Sequence, residues 1–160
     1  MKIEFTITGS DRQENSIIPD FCESIVHEIR NEILQRSNIL LLKSKEPYLI
    51  ESDFMNWIGR KPRSINFMDL LRKIASSVRY RKRKNNIFVI EINPYVIMNN
   101  STNPIDQVVR FLDRGDIGVK GTYQFSRIFD KYRYNMDRYW KSYCFSRLGR
   151  VKVNRVVMIN

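Results

Sequence analysis

The sequence of 160 residues contains only one histidine, two cysteines and one alanine. So few histidines and cysteines exclude most metal sites and a disulfide framework. The phosphate-binding patterns G-x-x-x-x-G-K-S/T and G-x-G-x-x-G are also absent, which excludes the common nucleotide-binding loops. We therefore expect no metal, no cofactor and no small-molecule substrate.

Long apolar runs are missing as well. No stretch approaches the ~20 apolar residues that a membrane-spanning helix needs. The N-terminal residues Met1 to Ile7 alternate between apolar and polar side chains, whereas a secretory signal has a continuous apolar segment. We therefore expect neither a membrane partner nor a secretory signal.

The apolar content is that of an ordinary folded protein. Apolar residues make up 42% of the chain, which is close to the globular average and enough for a packed core. The length is typical of one domain, since one domain per ~150 residues is the usual expectation. We predict a single domain over residues 1–160, without internal repeats or a long linker.

Positive charge is abundant and is concentrated in two blocks. The formal net charge is +11. Residues 60–84 hold 10 basic residues and one acidic residue, and residues 131–155 hold 8 basic residues and one acidic residue. Residues 1–59 hold 6 basic and 10 acidic residues. Such segregation indicates contact with a polyanion, or docking onto acidic neighbours or copies of the same chain.

Strand and helix signals follow each other in the first part of the chain. Alternating apolar residues predict a half-buried strand over residues 2–8. Helical spacing of apolar residues predicts a helix over about 18–36, with Pro19 in its first turn. The apolar run 39–42 is either the tail of this helix or a buried strand. Residues 52–59 are suited to a short capped helix.

The basic block follows a second amphipathic helix. Ser64 is suited to cap this helix, whose apolar face reaches Val78. The helix then runs into the basic residues 79–84, and Asn85-Asn86 forms a turn. A β-branched and aromatic run over 87–92 predicts a strand.

The second half of the chain also contains strand signals followed by helix signals. Pro94 marks an edge, a bulge or a break of the strand, and residues 95–98 are suited to resume it. A helix begins at Asn103, with Pro104 in its first position, and Gly115 caps its C-terminus.

A long amphipathic helix opens at Thr122 and ends near Gly149, with Gly118 and Gly121 in the loop before it. A final strand covers 151–159. Together these signals predict an α+β fold in which a small, mostly antiparallel sheet packs with three to four amphipathic helices.

Catalytic groups are scarce. The only histidine, His27, lies on the first helix five residues after Cys22, which is a poor geometry for a thiol–imidazole pair. We interpret Cys22 and Cys144 as buried structural thiols and His27 as a partly exposed helical residue. The carboxylates Asp113, Asp116 and Glu91 could be combined into a metal site, but nothing in their spacing requires one.

Ten residues of the two basic blocks are the candidate binding site. Basic side chains interleaved with aromatic rings suit phosphate contacts and base stacking, and they are also typical of protein–protein hot spots. An alternative interpretation of the first block is a solvated helix end that offsets the helix dipole. The candidates are Arg79, Tyr80, Arg81, Lys82, Arg83, Lys84, Arg133, Tyr134, Arg138 and Lys141.

The segment from Ile105 to Tyr132 contains a helix, the run Val108-Val109-Arg110-Phe111-Leu112-Asp113-Arg114-Gly115-Asp116, a short extended piece and a second helix at Phe125-Ile128-Phe129. It resembles the C-terminal half of small neck or tail-completion proteins of tailed bacteriophages. The helix from Ile18 to Arg36 is also similarly placed. The resemblance covers roughly a third of the chain. The chain has Asp113-Arg114-Gly115-Asp116 where that family has acidic-aromatic-glycine-threonine, and the proline-containing stretch that usually follows is absent.

The resemblance implies a non-catalytic virion structural protein that forms a ring at the head–tail neck or tail. Its partners would be other virion proteins, copies of itself and DNA, and it would pass through the host cytoplasm during assembly. The alternative hypothesis is a small basic nucleic-acid-binding protein that contacts phosphates through residues 79–84 and 131–155.

Overall fold

The computed structural model describes residues 1–43, 67–96, 104–116, 119–120, 123–150 and 155–159. Its elements, in chain order, are strand β1 (Lys2–Thr8), helix α1 (Arg12–Lys43), helix α2 (Phe67–Ser76), strand β2 (Val78–Arg83), strand β3 (Ile87–Ile92), helix α3 (Ile105–Arg114), strand β4 (Gly115–Asp116), strand β5 (Val119–Lys120), helix α4 (Gln124–Leu148) and strand β6 (Arg155–Met158).

Four strands form an antiparallel sheet in the order β2-β3-β1-β6, and β4 and β5 form a separate small hairpin. Without α2, α3 and this hairpin, the chain order is strand, helix, strand, strand, helix, strand. This is the ferredoxin-like βαββαβ arrangement. Among the described residues there are four helices, so the predicted α+β class, with a small antiparallel sheet and three to four helices, is confirmed.

The two faces of the sheet have different chemistry, because successive side chains of a strand point to opposite faces. Ile3 and Phe5 of β1 and Ile90 of β3 belong to the main core, together with the apolar faces of the helices. Glu4 and Glu91 point to the other face. Within the described residues, no helix is both long and apolar enough to cross a membrane.

The helix-facing core contains the residues that helical spacing predicted. Phe21, Ile25, Ile29 and Ile33 of α1 are buried. On α4 the buried residues are Gln124, Phe125, Ile128, Phe129, Tyr132, Met136, Trp140 and Cys144. The rings of Phe21 and Trp140 meet edge to face with their centroids 5.1 Å apart, which joins the two long helices.

Helix α1 is longer than the predicted range 18–36, since it covers Arg12–Lys43. Its start is set by Asp11, whose Oδ1 accepts a hydrogen bond from the N–H of Glu14 at 2.9 Å. An acidic cap of this kind satisfies an N–H group that the first helical turn leaves unpaired. The apolar run 39–42 is therefore the tail of this helix and not a strand.

Pro19 consequently lies inside α1 and not in its first turn. Proline has no N–H, so the carbonyl of Asn15 loses the hydrogen bond that residue 19 would otherwise donate. This missing hydrogen bond lies close to strand β2, since Pro19 and Tyr80 line the same cleft.

The predicted helix that continues through Val78 into the basic block is wrong. Helix α2 ends at Ser76, and Val78 begins strand β2. The hydroxyl of Ser77 donates to the carbonyl of Ile74 at 2.6 Å, a local hydrogen bond that competes with continuation of the helix. The predicted cap at Ser64 and the predicted short helix at 52–59 lie outside the described residues.

The turn after β2 explains why the basic block is extended. Asn85 and Asn86 have positive φ angles of 64° and 54°, a conformation that asparagine tolerates better than most residues. Such Asn-rich connections favour tight hairpins. The turn pairs Val78–Arg83 with Ile87–Ile92, so sheet pairing overrides the helical periodicity of the preceding segment.

Three smaller predictions also differ from the structure. Tyr95 does not resume the strand, because it lies in a turn in which its N–H donates to the side chain of Asn93 at 3.0 Å. Gly115 does not cap α3, because it begins β4 and pairs with β5. The final strand ends at Met158 and not at residue 159, and its described part begins at Arg155. The described part of the chain does not include residues 97–103, 117–118, 121–122 and 151–154. The predictions at Asn103, Gly118, Gly121 and Thr122 therefore lie outside it.

Both ends of α4 are fixed by identifiable caps. At the start, Asp113 of α3 is fully buried. Its carboxylate accepts hydrogen bonds from the N–H of Ser126, at 2.9 Å, and from the hydroxyl of the same residue. At the end, Gly149 has a φ of 67° and its N–H donates to the carbonyl of Phe145, the predicted glycine cap. The orientation of α4 therefore depends on a carboxylate from another helix.

Replacing this carboxylate tests its role. We expect Asp113→Ala to lower the free energy of unfolding by about 2 kcal/mol, because a partly buried N–H and hydroxyl of Ser126 lose their acceptor. Urea denaturation followed by circular dichroism measures the change. Asp20→Ala, at an exposed position of α1, is the control. Equal stability of the two variants would contradict the proposed cap.

Candidate functional site

The first basic block is divided between the two faces of strand β2. Arg79, Arg81 and Arg83 point to the face that carries the glutamates, whereas Tyr80 and Lys82 point to the helix-facing side. The division follows from the alternation of side chains along a strand. The block therefore does not form one continuous cationic helix surface.

The three arginines contact buried carboxylates. The Oε1 atom of Glu91 accepts hydrogen bonds from Arg81 Nε at 2.6 Å and from Arg79 Nη2 at 2.9 Å. The Oε1 atom of Glu4 lies 2.8 Å from Lys2 Nζ and 3.2 Å from Arg83 Nη1. We call these six residues the sheet-face ion-pair network. In it, four cations share two carboxylates.

Both glutamates of the network are buried, with 3% exposure for Glu4 and 5% for Glu91. Burial alone would raise the pKa of Glu91, but hydrogen bonds from Arg81 and Arg79 hold it below its usual value. The hydrogen bond from Lys2 is the largest cause of the lowered pKa of Glu4. Much of the positive charge of β2 is thus neutralised within the molecule.

The opposite side of β2 borders a cleft. Tyr80 and Lys82 line it together with Ile18, Pro19 and Phe88, and its volume is about 340 Å³. The ammonium of Lys82 lies 5.8 Å from the centroid of the Phe88 ring, a favourable cation–π distance. Lys84, beyond the end of the strand, is exposed.

The second basic block lies on α4, and two of its candidates have intramolecular roles. Arg133 forms an ion pair with Asp130 and donates to the carbonyl of Lys2 at 2.7 Å. Lys141 pairs with Asp137 at 2.9 Å. Asp137 also accepts a hydrogen bond from the N–H of Val156 in β6. These contacts hold α4 against the sheet.

The other two candidates of this block are exposed. Tyr134 has 80% of its surface exposed, and Arg138 is exposed beside the ring of Tyr139. Helical spacing places Arg127 and Phe145 on the same side of α4, about 27 Å apart along the helix axis. Phe145 is 62% exposed and was missed as a candidate, although its helical spacing from Tyr134 was available.

We define Arg127, Tyr134, Arg138 and Phe145 as the α4 outer stripe. In the structure, the α4 outer stripe lies apart from the first basic block. Strand β2 packs against β3, α1 and α2, whereas α4 packs against α1, α3, β1 and β6. The candidate residues therefore form two separate surfaces, one on β2 and one on α4.

The described residues contain little that points to catalysis. Cys22 is buried and His27 is exposed on the same helix, so they do not form a catalytic pair. Burial raises the pKa of Cys22, and it raises the pKa of Cys144 to about 11. Among the described residues, no group of three or more His, Cys, Asp or Glu side chains could hold a metal ion.

Comparison with known protein families, with curated proteins and with solved structures finds no match to this chain. The class that the fold itself defines is an α+β protein with the βαββαβ order. Arguments about function therefore rest on the residues of the two surfaces.

The sheet-face network predicts a specific dependence of stability on pH. A carboxyl whose pKa is lowered by folding stabilises the protein above its unfolded value, ~4.3, and loses that contribution as the pH falls. We expect Glu91→Gln to lower the free energy of unfolding at pH 7 by about 2 kcal/mol, after allowance for the partial exposure of Arg79 and Arg81.

As the pH falls below the unfolded value the difference between wild type and Glu91→Gln should shrink, since the unfolded state takes up the proton first. The difference should disappear once the pH is also below the lowered pKa of the folded carboxyl. Urea denaturation at a series of pH values measures this. Glu23→Gln, at an exposed position of α1, is the matched control. A difference that is constant with pH would show that the charge of Glu91 is irrelevant.

Proposed function

We propose that this chain is a non-catalytic structural subunit that assembles with copies of itself or with other proteins through the α4 outer stripe. The observation that carries the proposal is the exposure of Tyr134 and Phe145, at 80% and 62%, on a helix whose opposite face is fully packed. Large exposed aromatic residues next to arginines are typical of the few residues that dominate protein–protein binding.

The partner surface should be acidic. The stripe carries Arg127 and Arg138, and neither forms an ion pair within the described residues. Arginine combines charge with a planar group that packs well on other side chains, so it favours a desolvated protein contact. The exposed carboxylates of helix α1, Asp20, Glu23 and Glu28, offer such acidic groups on another copy.

The particular assembly that we propose is the head–tail neck or tail of a tailed bacteriophage, with the subunit in a ring. The support is the segment 105–132. It folds as helix α3, the small hairpin β4–β5 and the beginning of helix α4, which is the order of elements that the resemblance to neck and tail-completion proteins implies. The protein would then reside in the virion, and in the host cytoplasm during assembly.

The ion pairs of the first basic block also favour assembly over general phosphate binding. Arg79, Arg81 and Arg83 contact Glu91 and Glu4. A phosphate would compete with buried carboxylates for these cations, and leaving a buried carboxylate unpaired is costly. The net charge of +11 thus overstates the charge that is available to a polyanion.

A second candidate function, nucleic-acid binding, is favoured by one observation. The α4 outer stripe places Tyr134 between Arg127 and Arg138, and an exposed ring between cations suits stacking and phosphate contact. The DNA of a phage particle would be the natural ligand if the stripe faced the channel of a ring.

The oligomeric state tests the assembly proposal. Mass photometry and light scattering of purified, nuclease-treated protein at ~150 mM salt should show a species larger than a monomer. We expect Tyr134→Ser with Phe145→Ser to shift it to the monomer, because the apolar contact area is lost. Tyr95→Ser, at another residue with 80% exposure, should leave the oligomer intact. A wild-type monomer at ~100 μM would contradict self-assembly.

A salt series tests the nucleic-acid alternative. Fluorescence anisotropy would be measured with a labelled duplex and a labelled single strand from 50 to 300 mM salt. If the stripe contacts phosphates, the logarithm of affinity falls linearly with the logarithm of salt, and Arg138→Glu weakens binding about tenfold. Binding that disappears by ~150 mM salt, or that Arg138→Glu leaves unchanged, would reject this function for the stripe.

A further inference from the structure

In the part of the chain that the structure describes, strand β2 lies at one edge of the sheet, with β3 on its other side. In an antiparallel pair, residues alternate between those that exchange backbone hydrogen bonds with the neighbour and those that do not. The hydrogen bond from the N–H of Asn93 to the carbonyl of Ser77, at 2.8 Å, fixes this alternation. The N–H and C=O groups of Tyr80 and Lys82 therefore point away from β3, towards the open edge.

One end of this edge is covered and the other is not. The guanidinium of Arg30 donates to the outward carbonyl of Val78 at 2.6 Å, which closes the edge at that residue. Within the described residues, no hydrogen bond reaches the backbone of Tyr80 or Lys82 from outside the sheet. Two residues of the edge are thus available to pair with another strand.

The charge of the edge selects the kind of strand that can pair. Lys82 and Lys84 are exposed, and the sheet-face network beside them contains four cations for two carboxylates. A second copy of β2 would place like charges next to each other, which destabilises strand pairing. An incoming strand with acidic side chains would instead meet complementary charge.

The cleft beside Tyr80 and Lys82 supplies the third part of the site. Its walls combine apolar groups, among them Ile18 and Phe88, with the polar ends of Tyr80 and Lys82. Side chains on the helix-facing side of an added strand would lie next to Tyr80 and Lys82, at this cleft. The cleft of about 340 Å³ is therefore large enough for one side chain of that strand, whose apolar part would contact Ile18 and Phe88.

We propose that the β2 edge binds an extended acidic peptide segment of a partner protein by strand addition. The segment pairs with the backbone of Tyr80 and Lys82, inserts an apolar side chain into the cleft, and places carboxylates near Lys82 and Lys84. In this binding mode, backbone hydrogen bonds provide affinity, and alternate side chains provide specificity. The site is separate from the α4 outer stripe and does not rest on the proposed function.

The probe is a fluorescein-labelled octapeptide in which pairs of glutamates alternate with valine–leucine pairs, so that each face of the added strand carries both a carboxylate and an apolar side chain. Its binding to the full chain is followed by anisotropy, and the exchange of individual backbone amides is followed by nuclear magnetic resonance. We expect saturable binding and slower exchange of the N–H groups of Tyr80 and Lys82. The same peptide with alternate backbone nitrogens methylated keeps its charge but cannot pair, so it should lose most of its affinity.

Protein variants locate the site. Lys82→Glu should weaken peptide binding about tenfold, because a cation at the edge becomes a carboxylate. Arg138→Glu makes the same change on α4 and should leave peptide binding unchanged. It is also the variant that tests nucleic-acid binding by the α4 outer stripe, so the two surfaces can fail independently. Circular dichroism confirms that both variants are folded.

Several outcomes would overturn strand addition at this edge. They are absence of binding to the wild-type chain, equal affinity for the methylated peptide, or an effect of Arg138→Glu as large as that of Lys82→Glu. A labelled oligothymidylate that binds more tightly than the peptide and is weakened by Lys82→Glu would assign the edge to nucleic acid instead.

Discussion

The burial of two carboxylates on the central strands is the constraint on which the rest of the sheet depends. Glu4 lies in β1 and Glu91 in β3, and a buried carboxylate without a partner costs several kcal/mol. The partners come from the edge strand, because Arg79, Arg81 and Arg83 all reach these two groups. This requirement fixes which face of β2 the arginines occupy, and it therefore places Tyr80 and Lys82 on the other face. The apparent phosphate-binding block of the sequence becomes, in the folded chain, a structural network with a remaining positive edge.

Helix α4 combines a packed structural face with the exposed face that we propose for binding. One face carries Phe125, Trp140 and the other core residues between the sheet and α1, whereas the opposite face presents Tyr134 and Phe145 to solvent. The helix can keep this orientation because Asp113 holds its first turn and Asp137 contacts strand β6. An exposed aromatic stripe on a firmly held helix binds with little loss of conformational entropy, and such preorganisation favours affinity. This is why we attribute assembly to α4.

The two proposed surfaces differ in their physical basis. The α4 outer stripe offers side chains, aromatic and cationic, to a folded partner. The β2 edge offers backbone groups at Tyr80 and Lys82 to an extended segment, in a cationic setting. The other edge of the sheet is less suited to strand addition, because Asp137 takes the N–H of Val156 in β6, and covered edges resist pairing. A subunit with both surfaces could bind a folded neighbour at the α4 outer stripe and an extended peptide segment at the β2 edge at the same time.

The sequence by itself determined the elements whose apolar spacing spans many residues. Strands β1 and β3, helix α3 and the buried face of α4 follow from this periodicity, since burial of one face is a local property of the pattern. The class of fold followed from them. Only the tertiary structure decided the state of residues 79–84, because their choice between helix and strand depends on pairing with β3 and on two glutamates distant in sequence. It also decided that Asp113 caps helix α4. Contacts between distant residues leave no periodic signal in one sequence, so they become visible only when the chain is folded.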